Sequence, residues 1–230
     1  MNKIALELIE KAKRENAAYL NLRNLEITTL PPEIGQLNEL RSLDISGNHI
    51  TELPMEIGQL INLRNLNISD NKISQLPPEI GKLTNLEYFY IWNNCLIELP
   101  SEIGQLTSIK GLYVANNQLS KLLPEIGKLL GLEHIEISNN QLSKLPPEIG
   151  QLTSLKYLEI DNNCIGALPP KMATLANLIC LSISSNQLGR LPSEVVKLTN
   201  LKYLDVSNNP IKLSEDILDY VNKYKIILVE

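Results

Sequence analysis

The chain repeats itself every 23 residues, and that period restricts its fold more than any other feature. The string Leu-Pro-x-Glu-Ile-Gly-x-Leu recurs, as at Leu53-Pro54-Met55-Glu56-Ile57-Gly58-Gln59-Leu60. Successive units begin at Leu40, Leu63, Leu86, Ile109, Leu132, Leu155, Leu178 and Leu201, and a degenerate unit begins at Ala17. Nine units take up 207 of the 230 residues, with sixteen before them and seven after. Such a period predicts a stack of equivalent small units that share one continuous core. Composition points the same way: 43 leucines accompany one Phe and one Trp, an aliphatic interior almost without rings.

Each unit follows one code. The fourth residue is apolar throughout (Leu20, Leu43, Leu66, Phe89, Leu112, Ile135, Leu158, Leu181, Leu204), and so is the sixth (Leu22, Ile45, Ile68, Ile91, Val114, Ile137, Ile160, Ile183, Val206). Alternation of period two predicts one short strand per unit with this pair facing inward. The ninth residue is Asn in eight of nine units, from Asn48 to Asn209, and only Leu25 departs.

This pattern resembles the leucine-rich repeat family, in its 23-residue form Leu-x-x-Leu-x-Leu-x-x-Asn-x-Leu-x-x-Leu-Pro, over about nine-tenths of the chain. The Leu-Pro-x-Glu-Ile-Gly version is most similar to bacterial members and to intracellular Ras-group relatives. The resemblance implies an α/β fold: a curved solenoid, or horseshoe, with a parallel sheet on its concave side. Physical chemistry gives the same expectation. A lone strand cannot bury its apolar face, so units stack with strands about 4.8 Å apart. The ninth-position Asn carries both donors and acceptors, which suits it to backbone groups that a buried turn leaves unpaired. Pro-x-Glu-Ile-Gly reads as a tight turn or short helix on the convex side, with Pro at its start, Glu at its positive end and Gly at its exit.

A stack must cover its two raw ends. Asn2 to Asn16 carries Ile4, Leu8, Ile9 and Ala12 at helical spacing and reads as an N-terminal cap. At the other end Ser214 precedes Glu215 and Asp216, then Ile217, Leu218, Val221 and Tyr224, the pattern of an N-capped amphipathic helix. Ile226 to Val229 is a final apolar run, read as a strand tucked on that cap. The expected organisation is one domain over 1–230, with a cap at 1–16, repeats at 17–209 and a second cap at 210–230.

Most chemistry finds no foothold. The charge of −5, from 21 Lys+Arg against 26 Asp+Glu, argues against a general nucleic-acid binder. No phosphate-binding or dinucleotide glycine motif occurs, and no Cys or His pair has metal spacing, so no cofactor or metal is expected. His49 and His134 read as solvated residues without a partner, and Cys95, Cys164 and Cys180 as free thiols in a reducing, cytoplasmic setting. No apolar run is long enough to cross a membrane, and acids interrupt the apolar start after Met1-Asn2-Lys3, so a signal peptide is not expected. The glutamate column from Glu33 to Glu194, broken by Lys171, reads as turn chemistry.

The third, fifth and seventh residues of each unit should line the concave sheet. Most are Ser, Asn, Asp or Gly, but Tyr88, Tyr90 and Trp92 fall in the fourth unit and Tyr113 in the fifth. Beside them, His134 and Glu136, then Tyr157, Glu159 and Asp161, continue into an acidic strip that Asp205 extends. Clustered exposed aromatics mark interaction sites; the alternative is that the rings merely pack across strands. Neighbouring carboxylates could bind Ca²⁺, serve as a glycosidase pair, or select a basic partner as a solvated face, and the last reading is preferred. The expectation is therefore a non-enzymatic, monomeric module that binds a protein or peptide on its concave face. Two rivals stand beside it. One is the recognition arm of a larger Roco-like signalling protein, with Lys225 to Val229 starting the next domain's first strand. The other is a carbohydrate-binding or hydrolytic surface.

Overall fold

In the computed structural model, which describes residues 3–230, the first eight units make the same two moves, and the ninth makes only the first. The third to fifth residues of a unit form a strand, and the sixteenth to twentieth form a 3-10 turn, as in Met55–Gln59. The strands are β1 (Tyr19–Asn21), β2 (Ser42–Asp44), β3 (Asn65–Asn67), β4 (Tyr88–Tyr90), β5 (Gly111–Tyr113), β6 (His134–Glu136), β7 (Tyr157–Glu159), β8 (Cys180–Ser182), β9 (Tyr203–Asp205) and β10 (Ile227–Val229). They form one parallel sheet in strictly sequential order, β1 to β10. The register is one unit to the next without slip, so Leu66 lies beside Phe89 and Phe89 beside Leu112. The fold is the expected leucine-rich repeat solenoid, with 3-10 turns on its convex side.

The core follows from the code. In the third unit Leu63, Leu66, Ile68, Ile73, Leu76, Ile80 and Leu83 are all buried. Each fully buried side chain of this kind contributes about 1.5–3 kcal/mol, but only when the flanking units are present to cover it.

The asparagine column does what its chemistry suggests. Asn117 is buried; its Oδ1 accepts from the Leu96 N–H (3.0 Å), and its Nδ2 donates to the carbonyls of Ile91 (3.1 Å), Val114 (3.1 Å) and Ala115 (3.2 Å). One side chain thus ties its own turn to the preceding unit. A second column, unread in the sequence, precedes it. The eighth residue of every unit has a left-handed backbone: Asn24, Gly47, Asp70, Asn93, Asn116, Asn139, Asn162, Ser185 and Asn208. The short polar residues found there are those that tolerate this region best.

The glycine of the 3-10 turn corrects an expectation. It does not serve as an exit, because the turn is closed by leucine, as at Leu60 with φ −77°. Its role is close approach: a Cβ on Gly58 would stand 2.6 Å from the Glu79 carbonyl oxygen of the next turn.

Two α-helices flank the stack. Helix α1 (Lys3–Arg14) lays Ala5, Ile9 and Ala12 against the first unit. Met1 and Asn2, where the expected cap begins, lie outside the described residues. Ile4, placed on the buried stripe from spacing, is instead 54% exposed, and Ala5 takes the inward position. Helix α2 (Glu215–Tyr224) buries Ile217, Tyr220 and Val221, and the Tyr220 hydroxyl donates to the Leu198 carbonyl (2.7 Å). Leu218 points outward, and Ser214 stands at the N-cap in extended conformation without a side-chain capping bond. The apolar run after α2 is a strand, as expected, and it joins the repeat sheet. Left-handed Lys225 turns the chain back, and Ile227–Val229 pairs in parallel with β9 as the tenth strand of the same sheet.

Candidate functional site

The unbroken register sets the aromatic and acidic residues into rows across the concave face. At the fifth position Tyr90, Tyr113, Glu136 and Glu159 are consecutive neighbours on β4 to β7. At the third position Tyr88, Gly111, His134 and Tyr157 are likewise adjacent. Inward residues between them are aliphatic apart from Phe89, so these side chains can only face out.

They are not independent rings in water. Tyr90 and Tyr113 stack nearly parallel, with centroids 4.8 Å apart and planes 7° apart. Tyr113 meets His134 edge-on at 4.9 Å, and His134 meets Tyr157 at 5.3 Å. A continuous line of four rings therefore crosses β4 to β7. Gly111 permits it: a Cβ there would lie 2.7 Å from the Tyr113 ring and 3.0 Å from that of Tyr88. The missing side chain lets Tyr113 lie down across its own strand. Burial of the Tyr113 hydroxyl, with smaller help from Tyr90, pushes its pKa up to about 12.

His134 departs from the solvated, partnerless residue expected. It is half-buried, with Nδ1 3.3 Å from the Tyr113 hydroxyl and Nε2 3.2 Å from Glu159 Oε1. A carboxylate only accepts, so Nε2 donates to Glu159 while Nδ1 meets the Tyr113 hydroxyl. The partner lies one strand away, which repeat register supplies and local sequence does not.

The acidic strip divides by use. Asp161 Oδ1 accepts from Ser182 Oγ, the Ser184 N–H and Ser184 Oγ, each at 2.7 Å. Asp205 holds the Ser207 N–H (2.9 Å) and hydroxyl (2.7 Å). Glu159 is held by His134. The Glu136 carboxylate alone of the strip has no hydrogen-bond partner among the described residues. Burial raises its pKa above the usual carboxylate range, and Glu159 and Asp161 add to the rise while His134 opposes it. No group of three His, Cys, Asp or Glu among the described residues is arranged to hold a metal ion. Cys180, on the same face, is a poor nucleophile: burial first, then the nearby acids, push its thiol up to about 11.

Glu136 faces a hollow of about 340 Å³ lined also by Tyr90, Trp92, Tyr113, Ala115 and Asn116. Trp92 is 38% exposed and stacks on no other ring among the described residues. Ala115 and Asn116 were not singled out in the sequence. Alanine at a seventh position looked unremarkable, yet it is the absence of a larger side chain opposite Trp92 that leaves the space. Tyr88, His134, Tyr157 and Asp161 belong to the same face but do not line this hollow.

Comparison with known proteins adds to this geometry. A family model described as leucine-rich repeat region matches residues 55–124 and 118–223, and one described as leucine rich repeat matches 39–60. No curated protein matches the chain. Among solved structures, a leucine-rich repeat protein of Leptospira interrogans is 37% identical with a TM-score of 0.89, over 96% of this chain and 57% of that one. The ectodomain of the Arabidopsis thaliana receptor kinase GASSHO1/SCHENGEN3, solved in complex with CASPARIAN STRIP INTEGRITY FACTOR 2, is 29% identical with a TM-score of 0.78, over 88% of this chain and 25% of that one. The plant peptide hormone receptor RGFR1, in complex with RGF2, is 31% identical with a TM-score of 0.77, over 86% and 34%. The chain thus spans less than two thirds of the length of each.

Proposed function

Since the chain belongs to the leucine-rich repeat family, we propose that it is a non-enzymatic interaction module that holds a protein or peptide segment across the concave face of its sheet. The observation that carries this reading is the line of rings from Tyr90 to Tyr157, flanked by Trp92 and the hollow, on a face whose other outward positions are mostly small and polar, Tyr19, Tyr88 and Tyr203 apart. Large amphipathic rings on a rigid support give contact area at little conformational cost and dominate binding hot spots. The two plant receptor structures, each solved with a bound partner, support an interaction role by similarity. Catalysis gains no support from the carboxylates, since Glu159 and Asp161 are already engaged by neighbouring side chains.

Panning a displayed random-peptide library on the immobilised protein tests this. Peptides that bind the wild type should lose at least tenfold in affinity on Trp92→Ser, as hot-spot truncation of ~2 kcal/mol or more implies. They should bind Thr107→Ala, altered outside the concave face, as they bind the wild type. Selected peptides that ignore Trp92→Ser place the binding surface elsewhere.

A further inference from the structure

Resting on the concave-face reading above, we propose that the hollow between Trp92, Tyr113 and Glu136 is an arginine pocket, in which a guanidinium of the bound segment lies on the aromatic rings and is forked by the Glu136 carboxylate.

The charge comes first. Glu136 is the one acid of its strip whose carboxylate is left without a hydrogen-bond partner among the described residues, and it faces the hollow. It is half-buried, with two further carboxylates behind it in Glu159 and Asp161. An apolar side chain seated here would bury that carboxylate more deeply with nothing to pair it, which is costly. A cation would instead offset the repulsion among three acids. The rings make the same demand. Indole is the strongest of the aromatic faces for a cation, and Trp92 and Tyr113 line the hollow together. The size also fits: about 340 Å³ is near the lower end of the ~300–1,000 Å³ of small-ligand pockets, room for a side chain rather than a cofactor.

Arginine is preferred over lysine on geometry. Its planar fork stacks flat on a ring while its edge donates two parallel hydrogen bonds to a carboxylate; an ammonium offers a compact, strongly hydrated point charge. The surrounding acids, and the net charge of −5, would steer a basic segment toward this face.

The chain's one tryptophan reports directly on the pocket. N-acetyl-arginine methylamide, titrated into the full chain, should change Trp92 fluorescence saturably in the millimolar range expected of a ligand this small. The citrulline analogue, the same shape without charge, should bind at least tenfold more weakly, and the lysine analogue should fall between them. Glu136→Gln should lose the arginine response about tenfold while keeping the wild-type circular dichroism spectrum. No saturable response, equal responses to arginine and citrulline, or an arginine response indifferent to Glu136→Gln would each overturn the proposal. If Glu136→Gln misfolds, the arginine-to-citrulline ratio on the wild type decides alone. The broader reading stands or falls separately: library peptides that depend on Trp92 yet show no arginine enrichment would retain the concave-face module and eliminate the arginine pocket.

Discussion

At the scale of single residues, two adjacent columns look alike in the sequence and differ in what they do. Asn140 accepts from the Leu119 N–H (2.9 Å) and donates to the carbonyls of Val114 (3.0 Å), Ile137 (3.1 Å) and Ser138 (3.2 Å). Asn140→Leu therefore strands several buried groups, and should lower stability by at least the ~1–3 kcal/mol of one unpaired group. Asn139 is exposed and matters through its backbone, φ 56°. Asn139→Ala should cost on the order of 1 kcal/mol and Asn139→Gly close to nothing. Thermal melts of the three variants check the order Leu, Ala, Gly; equal shifts would refute both roles. The ninth-position column was legible because a short amide offers two donors and a separate acceptor at once. The eighth was not, because Asn, Asp, Ser and Gly share no one side-chain group; what unites them is tolerance of one backbone region. Glu136 gives a prediction with a definite sign. Its pKa is raised in the folded chain by burial and by Glu159 and Asp161, against His134. Its protonated form is thus favoured by folding, a contribution present at acid pH and lost as pH rises through the folded-state value. Glu136→Gln should melt slightly above the wild type at neutral pH, with the gap closing on acidification below the carboxylate range. A constant gap across that range would mean the shift arises elsewhere.

At the scale of elements, the 3-10 turns show how tightly the units are spaced. Gly58→Ala would set a methyl 2.6 Å from the Glu79 carbonyl, a backbone atom that cannot swing aside, whereas a Cβ on Gly166 meets nothing within 4 Å. Gly58→Ala should destabilise by about 1–3 kcal/mol, as overpacking does, and Gly166→Ala should stay within ~0.5 kcal/mol. Chemical denaturation separates them, and matching midpoints would show that the turns have slack. Gly111→Ala is a different case, since the atoms in its way belong to the Tyr113 and Tyr88 side chains. It should leave the sheet intact but part the Tyr90–Tyr113 stack. Near-ultraviolet circular dichroism would register the change without a large loss of stability. Strand, turn and core positions were readable because each follows from the 23-residue period. The ring line was readable only as a list of exposed aromatics. Its stacking depends on Gly111, whose contribution is an empty space, and on a histidine whose carboxylate lies one strand away. The tenth strand was legible as a strand but not in its pairing, for a similar reason. Ile227 to Val229 lies off the period after α2, so nothing local says that it pairs with β9.

At the scale of the whole molecule, the stack has ends that the units cannot cover themselves. Helix α1 sets Ala5, Ile9 and Ala12 on the first unit, and Lys13 Nζ donates to Gln36 Oε1 (2.6 Å) across that junction. Removing residues 3–14 should expose Leu20 and Leu22 and give a protein that melts lower or associates, measured by calorimetry and light scattering. A monomer with an unchanged melting curve would make α1 a passenger. The sequential strand order has a mechanical consequence. Because no strand crosses over another, the units are links in series, and a pull on the two termini loads every link equally. The chain should then yield by peeling, one link at a time from the weaker end, rather than by a single rupture. Each released unit of 23 residues would lengthen the tether by roughly 80 Å at ~3.3–3.6 Å per extended residue, a regular staircase in a force–extension trace. The molecule would behave under tension as a compliant spring whose step length is written in its repeat.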